Sequence, residues 1–344
     1  MKAVRIHKHG GVDCLSVDNI KEPECLDDNI IVQIKATALN HLDIWVRNGL
    51  PGINIPLPLI MGSDASGIVV ETGKNTNKFK IGDKVVIQPG TFNEDSYNAK
   101  INKENFSRNY GILGETENGV QAEYASLKEN NLHKMSNDLT FIEASSMQLV
   151  FMTAYQMLIT RANLLKNDII LIYGATSGVG SAAIQIAKDI GSTVISTVGK
   201  EDKKEYAYNL GSDYVLLHNK NITSEVMDVT KNTGVDLVCE HIGEATWNQS
   251  MRVLKKGGKI VTCGSTSGPK VNIDLRFLFS KQQTILGSTM SDIPTFLEVM
   301  KKINSNTYKP FIDKVFLYDD VAQAHNRMEN RSHYGKIILV PNYD

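Results

Sequence analysis

The run Asp168–Lys188, DIILIYGATSGVGSAAIQIAK, decides the fold. Its opening apolar stretch, Ile169 to Ile172, reads as a buried strand. A glycine-rich turn follows, and then a helical pattern with Val179, Ala182, Ala183, Ile186 and Ile190 on one side. A turn of this kind presents backbone N–H groups and a helix N-terminus to a pyrophosphate. The three positions of the usual G-x-G-x-x-G are held by Ala175, Ser177 and Gly180, with Gly174 and Gly178 as further glycines. A bare glycine pattern is weak evidence. Here the strand before it, the helix after it and the next strand, STVISTVG, favour a dinucleotide site over a tight turn with no ligand.

Outward from this motif the two parts of the chain differ in rhythm. Downstream, strand runs such as SDYVLL, DLVCEHIG, KIVTCG and TILGSTM alternate with helical stretches such as KEDKKEYAYNLG and ATWNQSMRVL. That alternation predicts a doubly wound parallel sheet, hence an α/β protein. Upstream, to about residue 130, AVRIH, NIIVQIKA, SGIVVETG, DKVVIQP and AEYASL read as strands separated by turn residues. The closing KVFLYDDVAQAHNRMEN and YGKIILVP read as strand, helix and strand, which rejoin the first part.

A chain of 344 residues is too long for one ordinary core, and two domains are expected. The formal net charge is -1 with no basic block, so nucleic-acid binding has no electrostatic support. No apolar run approaches the ~18 residues of a membrane span. MKAVRIHKHGG lacks the apolar core of a signal peptide, and the protein is expected to be cytoplasmic. None of the four cysteines forms a C-x2-C pair. Cys239 and Cys263 read as buried thiols, and Cys14 and Cys25 as reduced.

The dinucleotide is read from the end of the second strand. An acidic residue there binds the ribose 2′-OH of NAD. The position holds Val198, followed by Gly199, Lys200, Lys203 and Lys204. Nothing repels a 2′-phosphate, and the lysines supply point charges. NADP(H) is therefore favoured over NAD(H), although Glu201 and Asp202 lie between the lysines and a solvated helix start is the plainer reading.

With ALNHLDIWVRNG, MGSDASGIVVETG, IGDKVV and GATSGVGSAAIQIAK in this order, the chain resembles the medium-chain dehydrogenase/reductase superfamily. Its nearest look is to zinc-type alcohol dehydrogenase-like proteins and quinone oxidoreductases. The resemblance covers essentially the whole chain. It implies a GroES-like β-rich catalytic domain from residues 1–149 and 293–344, a Rossmann domain from 150–292, and an active site in a cleft. It also implies a homodimer or homotetramer acting on a small-molecule substrate.

Zinc members of that superfamily take catalytic ligands from three segments. The matching positions here are Asn40, then Ser63 and Asp64 in place of a His-Glu pair, then SMQLVFMTAY, which offers none. Asn and Ser are poor zinc ligands. Asp64 and His41 do not complete a three-ligand site. A structural-zinc lobe in those relatives has four cysteines; this chain has Asn93, Ser96, Ala99 and Ser107 instead. No zinc is expected at either place. The lobe segment, Gly90–Tyr110, is expected either to be held by hydrogen bonds from polar residues such as Asn93 and Ser96 or to be mobile, with its contacts made by Phe92, Tyr97, Phe106 and Tyr110 packing on the catalytic domain or a partner subunit.

Reduction of a simple ketone gains greatly from a Lewis acid on oxygen. In a quinone or α,β-unsaturated carbonyl, conjugation spreads the incoming charge, and hydrogen-bond donors suffice. Zinc-independent hydride transfer from NADPH to such an acceptor is the expectation. An alcohol dehydrogenase or carbonyl reductase, and a non-catalytic NADPH-binding protein, are the alternatives. The resemblance places Asn40 by the nicotinamide ribose and Thr153 beside the nicotinamide. It places Ile242, Gly243, Cys263, Gly264 and Ser288 at strand ends facing the cofactor. Lys203, His218 and Arg331 match 2′-phosphate positions, His218 standing where relatives have tyrosine. His41 and Asp43 are the proton-donor candidates, and Trp45 a platform for a flat substrate. Each also has a plainer reading: a loop tie for Asn40, a helix cap or core hydroxyl for Thr153, sheet packing at the strand ends, a surface arginine at Arg331, a structural imidazole for His41, and core filling for Trp45.

Overall fold

In a computed structural model, which describes residues 1–342, the chain forms two units. One is Met1–Leu149 with Lys309–Asp344, and the other is Val150–Tyr308.

The second unit is built on a six-stranded parallel sheet. In spatial order its strands are Tyr214–Leu217, Thr193–Val198, Ile169–Ile172, Val235–Glu240, Leu254–Thr262 and Thr284–Gly287. Counted along the chain this is the order 3-2-1-4-5-6 of a doubly wound nucleotide-binding sheet. Ile170, Leu171 and Ile172 are fully buried, as a central parallel strand with both faces covered requires. The helix Gly178–Ile190 starts where the Ser177 side chain accepts a hydrogen bond from Gly180 N at 3.0 Å. It ends at Gly191, whose φ of +91° suits glycine. Its buried apolar face is Ala182, Ala183, Ile184, Ile186 and Ala187, whereas Val179 and Ile190, read from sequence on the same side, are only half-buried. Burying each isoleucine contributes about 2–3 kcal/mol.

The helix Ile293–Asn304 lies in this second unit, whereas the sequence reading placed it in the catalytic domain. Phe296, Val299, Met300 and Ile303 form its buried stripe. The Thr295 hydroxyl donates to Gln156 Oε1 at 3.2 Å. The stripe is amphipathic in either assignment, so only the packing decides where the helix belongs.

In the first unit the main sheet has seven strands. Its path is Leu132–Lys134, Lys84–Ile87, Asp64–Thr72, Asn29–Ala38, Lys336–Val340 and Ile312–Leu317, with Tyr124–Lys128 also on Asn29–Ala38. The closing strand pairs antiparallel with Asn29–Ala38, Ile338 opposite Ala38. On the other side Ala38 is opposite Asp64. The C-terminal segment is thus threaded into the N-terminal sheet, as its strand-helix-strand pattern implied.

Gly90–Tyr110 holds itself. Gly90–Thr91 pairs with Gly111–Ile112. Ser96 caps the short helix Tyr97–Lys100 by accepting from Ala99 N at 3.2 Å, and its hydroxyl meets that of Ser107 at 3.4 Å. Asn93 Oδ1 accepts from Asp95 N at 2.9 Å. Phe92 and Tyr110 stack on one another, ring centroids 6.5 Å apart. Of the two places expected to cover Tyr97 and Phe106, the catalytic domain or a partner subunit, the first is corrected. The two residues are 76% and 55% exposed.

Candidate functional site

The nucleotide turn lies at the carboxyl end of the first central strand of the second unit. Gly174 sits at φ +62°, a left-handed conformation that favours glycine. A Cβ on Gly180 would stand 2.1 Å from Gly174 O, so this helix start packs against the turn with no room for a side chain. Ala175 is buried and donates its N–H to Thr197 O at 2.9 Å. Across the point where the strand order reverses, His241 Nε2 lies 2.9 Å from Tyr173 O. This crevice is where sheets of this order bind ligands.

The adjacent turn is organised by Glu240, a fully buried carboxylate. It accepts from Ile242 N at 2.7 Å, Gly243 N at 3.1 Å, the Thr246 hydroxyl at 2.9 Å and the Ser250 hydroxyl at 2.7 Å. Ile242 and Gly243 are therefore held rigidly at the strand end. Cys263 and Gly264 directly follow the next strand, and Ser288 N donates to Thr262 O at 2.9 Å. The hydroxyls of Thr153 and Ser288 are shut off from solvent and have no hydrogen-bond partner. Buried orphan hydroxyls call for a ligand or water. With the glycine cradle, they fit a bound nicotinamide dinucleotide.

At the end of the second strand Val198 is buried, and an added Cβ on Gly199 meets nothing within 4 Å. Lys204 pairs with Glu201 at 2.9 Å. Lys203 is only 9% exposed, so the solvated reading does not describe it. His218 is exposed, donates its backbone N–H to Val198 O at 2.7 Å, and its ring meets Tyr173 edge-on. Arg331 belongs to the other unit, exposed, at φ +53° just after the helix Val321–Glu329.

In the first unit Asn40 caps the helix His41–Asn48. Its backbone N–H donates to Asp43 Oδ2 at 2.7 Å. Asn40, Asp43 and Asp64 are buried. Burial pushes the Asp43 carboxyl up to about 7, against the pull of the Asn40 and Gly62 N–H groups and Lys336. His41 and Trp45 meet edge to face, ring centroids 5.0 Å apart, with His41 exposed and Trp45 half-buried. Arg47 anchors the far end of this helix. It is 1% exposed, pairs with Glu329 at 2.6 Å and donates to His325 Nδ1 at 3.2 Å. Burial and the Arg47 charge press His325 down to about 3, which keeps that nitrogen a neutral acceptor.

Lys336 was not singled out in sequence. It opens the last strand and reads as an ordinary polar start to KIILV. In the structure it is 4% exposed. Its Nζ donates to Asn40 Oδ1 at 2.5 Å and to Asp64 Oδ2 at 3.0 Å. Asn40 Nδ2 donates to the same Asp64 oxygen at 2.9 Å, and Leu149 N donates to Asp64 Oδ1 at 2.9 Å. Extending the pairing of Ile338 with Ala38 by two residues puts Lys336 opposite Asn40, so the strand register creates this contact.

These residues do not fit a zinc ion. Zinc needs thiolate, imidazole or carboxylate donors. Ser63 donates its hydroxyl to Leu113 O at 2.8 Å, and the one carboxylate at the three matching positions, Asp64, is taken by an ammonium and two N–H groups. Among the described residues, no group of three or more His, Cys, Asp or Glu is placed to hold a metal.

Residues 26–137 match the alcohol dehydrogenase GroES-like domain, and residues 178–305 match the zinc-binding dehydrogenase family. A solved NAD-dependent alcohol dehydrogenase superposes with a TM-score of 0.95 at 35% identity, covering 99% of each chain. The crotonyl-CoA carboxylase/reductase of Cereibacter sphaeroides is 29% identical over 96% of this chain and 84% of its own. The quinone oxidoreductase of Pongo abelii is 26% identical over 99% and 98%. The chain is an NAD(P)H-dependent oxidoreductase of the medium-chain dehydrogenase/reductase superfamily.

Proposed function

We propose that the chain transfers hydride from NADPH to a quinone or an α,β-unsaturated carbonyl, without zinc. The observation that carries this is the Asp64 carboxylate bound to Lys336, Asn40 and Leu149 N, where a metal-dependent site needs a free ligand. The nicotinamide supplies the hydride when bound. Conjugation in the acceptor spreads the arriving charge, so a hydrogen-bond donor can do the work of a Lewis acid. Asn40 Nδ2 is such a donor. Of the two proton-donor candidates His41 is the one open to solvent, while Asp43 is 1% exposed and tied to the helix start. The preference for NADPH rests on Val198 in place of a carboxylate and on Lys203 close behind it. Relatives named quinone oxidoreductase and crotonyl-CoA carboxylase/reductase support an acceptor of this class.

The second reading is alcohol oxidation with NAD, favoured by the likeness to a solved NAD-dependent alcohol dehydrogenase. A panel of quinones, enones, enoyl thioesters and alcohols, run with NADPH beside NADH and NADP⁺ beside NAD⁺, separates the two. The expected result is NADPH oxidation by a quinone, an enone or an enoyl thioester, with no stoichiometric zinc in the purified protein. Stoichiometric zinc with NAD⁺-dependent alcohol oxidation would install the second reading, and a preference for NADH would remove the Val198 argument.

A further inference from the structure

We propose that Lys336 is the positioning residue of this site: it sets the orientation of the Asn40 amide, and through it the donor presented to the reacting groups. The inference rests on the proposed function, which puts Asn40 at those groups.

A lysine ammonium has three donors and no acceptor, whereas a carboxylate only accepts. An asparagine amide can turn over, exchanging Oδ1 and Nδ2 with little change in shape. Here one end faces Lys336 Nζ at 2.5 Å and the other faces Asp64 Oδ2 at 2.9 Å. The flipped amide would point N–H groups at the ammonium and oxygen at the carboxylate. Both contacts would become repulsive in a place shut off from water, where such errors cost most. The Lys336–Asp64 pair, 3.0 Å apart, therefore favours one orientation, the same one in which Asn40 accepts from the Asp43 N–H of the capping box. In that orientation Nδ2 gives one hydrogen to Asp64, and the other is the donor that the proposed function assigns to the acceptor.

Three backbones hold the parts. Asp64 starts a strand, Asn40 follows the central strand, and Lys336 starts the closing strand, 296 residues from Asn40 along the chain. Leu149 N takes the free Asp64 oxygen, so the carboxylate has no freedom to turn. A lysine that served only to neutralise Asp64 would not need to reach Asn40 Oδ1 as well.

Full-length K336M, the double variant K336M/D64N, and N40A test this by NADPH affinity, thermal unfolding and turnover. K336M strands the Asp64 charge and lowers the Tm. In K336M/D64N the charge is gone, so the Tm returns toward wild type. The positioning role requires that kcat then stays down by about tenfold to a hundredfold with the NADPH Kd unchanged. Recovery of kcat together with Tm would reduce Lys336 to a structural ion pair and overturn the proposal. N40A keeps the Lys336–Asp64 pair and is expected to fold whatever the double variant does. It should lose at least as much kcat, with no further loss when combined with K336M/D64N; wild-type kcat in N40A alone overturns the proposal. If wild-type protein turns over no acceptor, the proposed function fails, and neutron crystal structures of K336M and K336M/D64N, which place the amide hydrogens of Asn40, then decide Lys336 separately. An Asn40 amide that has left its wild-type orientation supports the positioning role, and one that keeps it refutes it.

Discussion

Replacing Glu240 separates the carboxylate's shape from its charge. Glu240 is fully buried, and four groups donate to it: Ile242 N, Gly243 N and the hydroxyls of Thr246 and Ser250. In Glu240→Ala the two hydroxyls have fallbacks, since Thr246 Oγ1 also lies 3.2 Å from Gly243 O and Ser250 Oγ 3.1 Å from Thr246 O. The two N–H groups have none. Each buried donor left unmade costs about 1–3 kcal/mol, so Glu240→Ala should lose about 2–6 kcal/mol before any cavity is counted. That approaches the whole stability of a domain, about 5–15 kcal/mol. Glu240→Gln behaves differently. Its Oε1 keeps both N–H bonds and its Nε2 donates to Ser250 Oγ, so the loss is the charge assistance alone, about 1 kcal/mol. Urea unfolding followed by circular dichroism and by tryptophan fluorescence reads both, because Trp247 opens the helix that carries Ser250. Glu240→Ala within about 1 kcal/mol of wild type, or Glu240→Gln as damaging as Glu240→Ala, would refute the reasoning.

Two more predictions follow from the site. Gly180→Ala places a methyl group 2.1 Å from Gly174 O, so the turn must open, and NADPH affinity by fluorescence titration should fall by about tenfold or more, or about 1.4 kcal/mol. For Asp43 the folded pKa of about 7 lies above the ordinary 3.8. The folded chain thus holds a proton that the unfolded chain releases between those values, and this group's contribution to stability falls as pH rises from about 4 to about 7, then levels. Asp43→Asn should flatten the pH dependence of Tm over that interval and be the more stable chain above pH 7, by on the order of 4 kcal/mol at most; an unchanged slope would refute a protonated buried Asp43.

What the sequence determined by itself is local. The strand, glycine turn and helix of Asp168–Lys188 lie within one contiguous stretch, so periodicity and turn chemistry specify them without any distant partner. The same holds for Val198 at the end of the next strand, and for the residue types at Asn40, Ser63 and the lobe, which are read without any distant partner. The segment Gly90–Tyr110 was legible as a polar excursion with Asn93 and Ser96 as its ties, but which of its aromatics found cover was not. Phe92 and Tyr110 meet only because the strands flanking the segment pair, which leaves Tyr97 in solvent. The helix Ile293–Asn304 carries an amphipathic stripe that suits either unit, so its place waited for the packing. Lys336 is the clearest case. A lysine at the head of an apolar strand is normally solvated, and neither Asn40 nor Asp64 lies near it in sequence. Only the antiparallel register of three strands brings an ammonium, an amide and a carboxylate into one water-free place, and the cost of burying any of them alone is what holds them together.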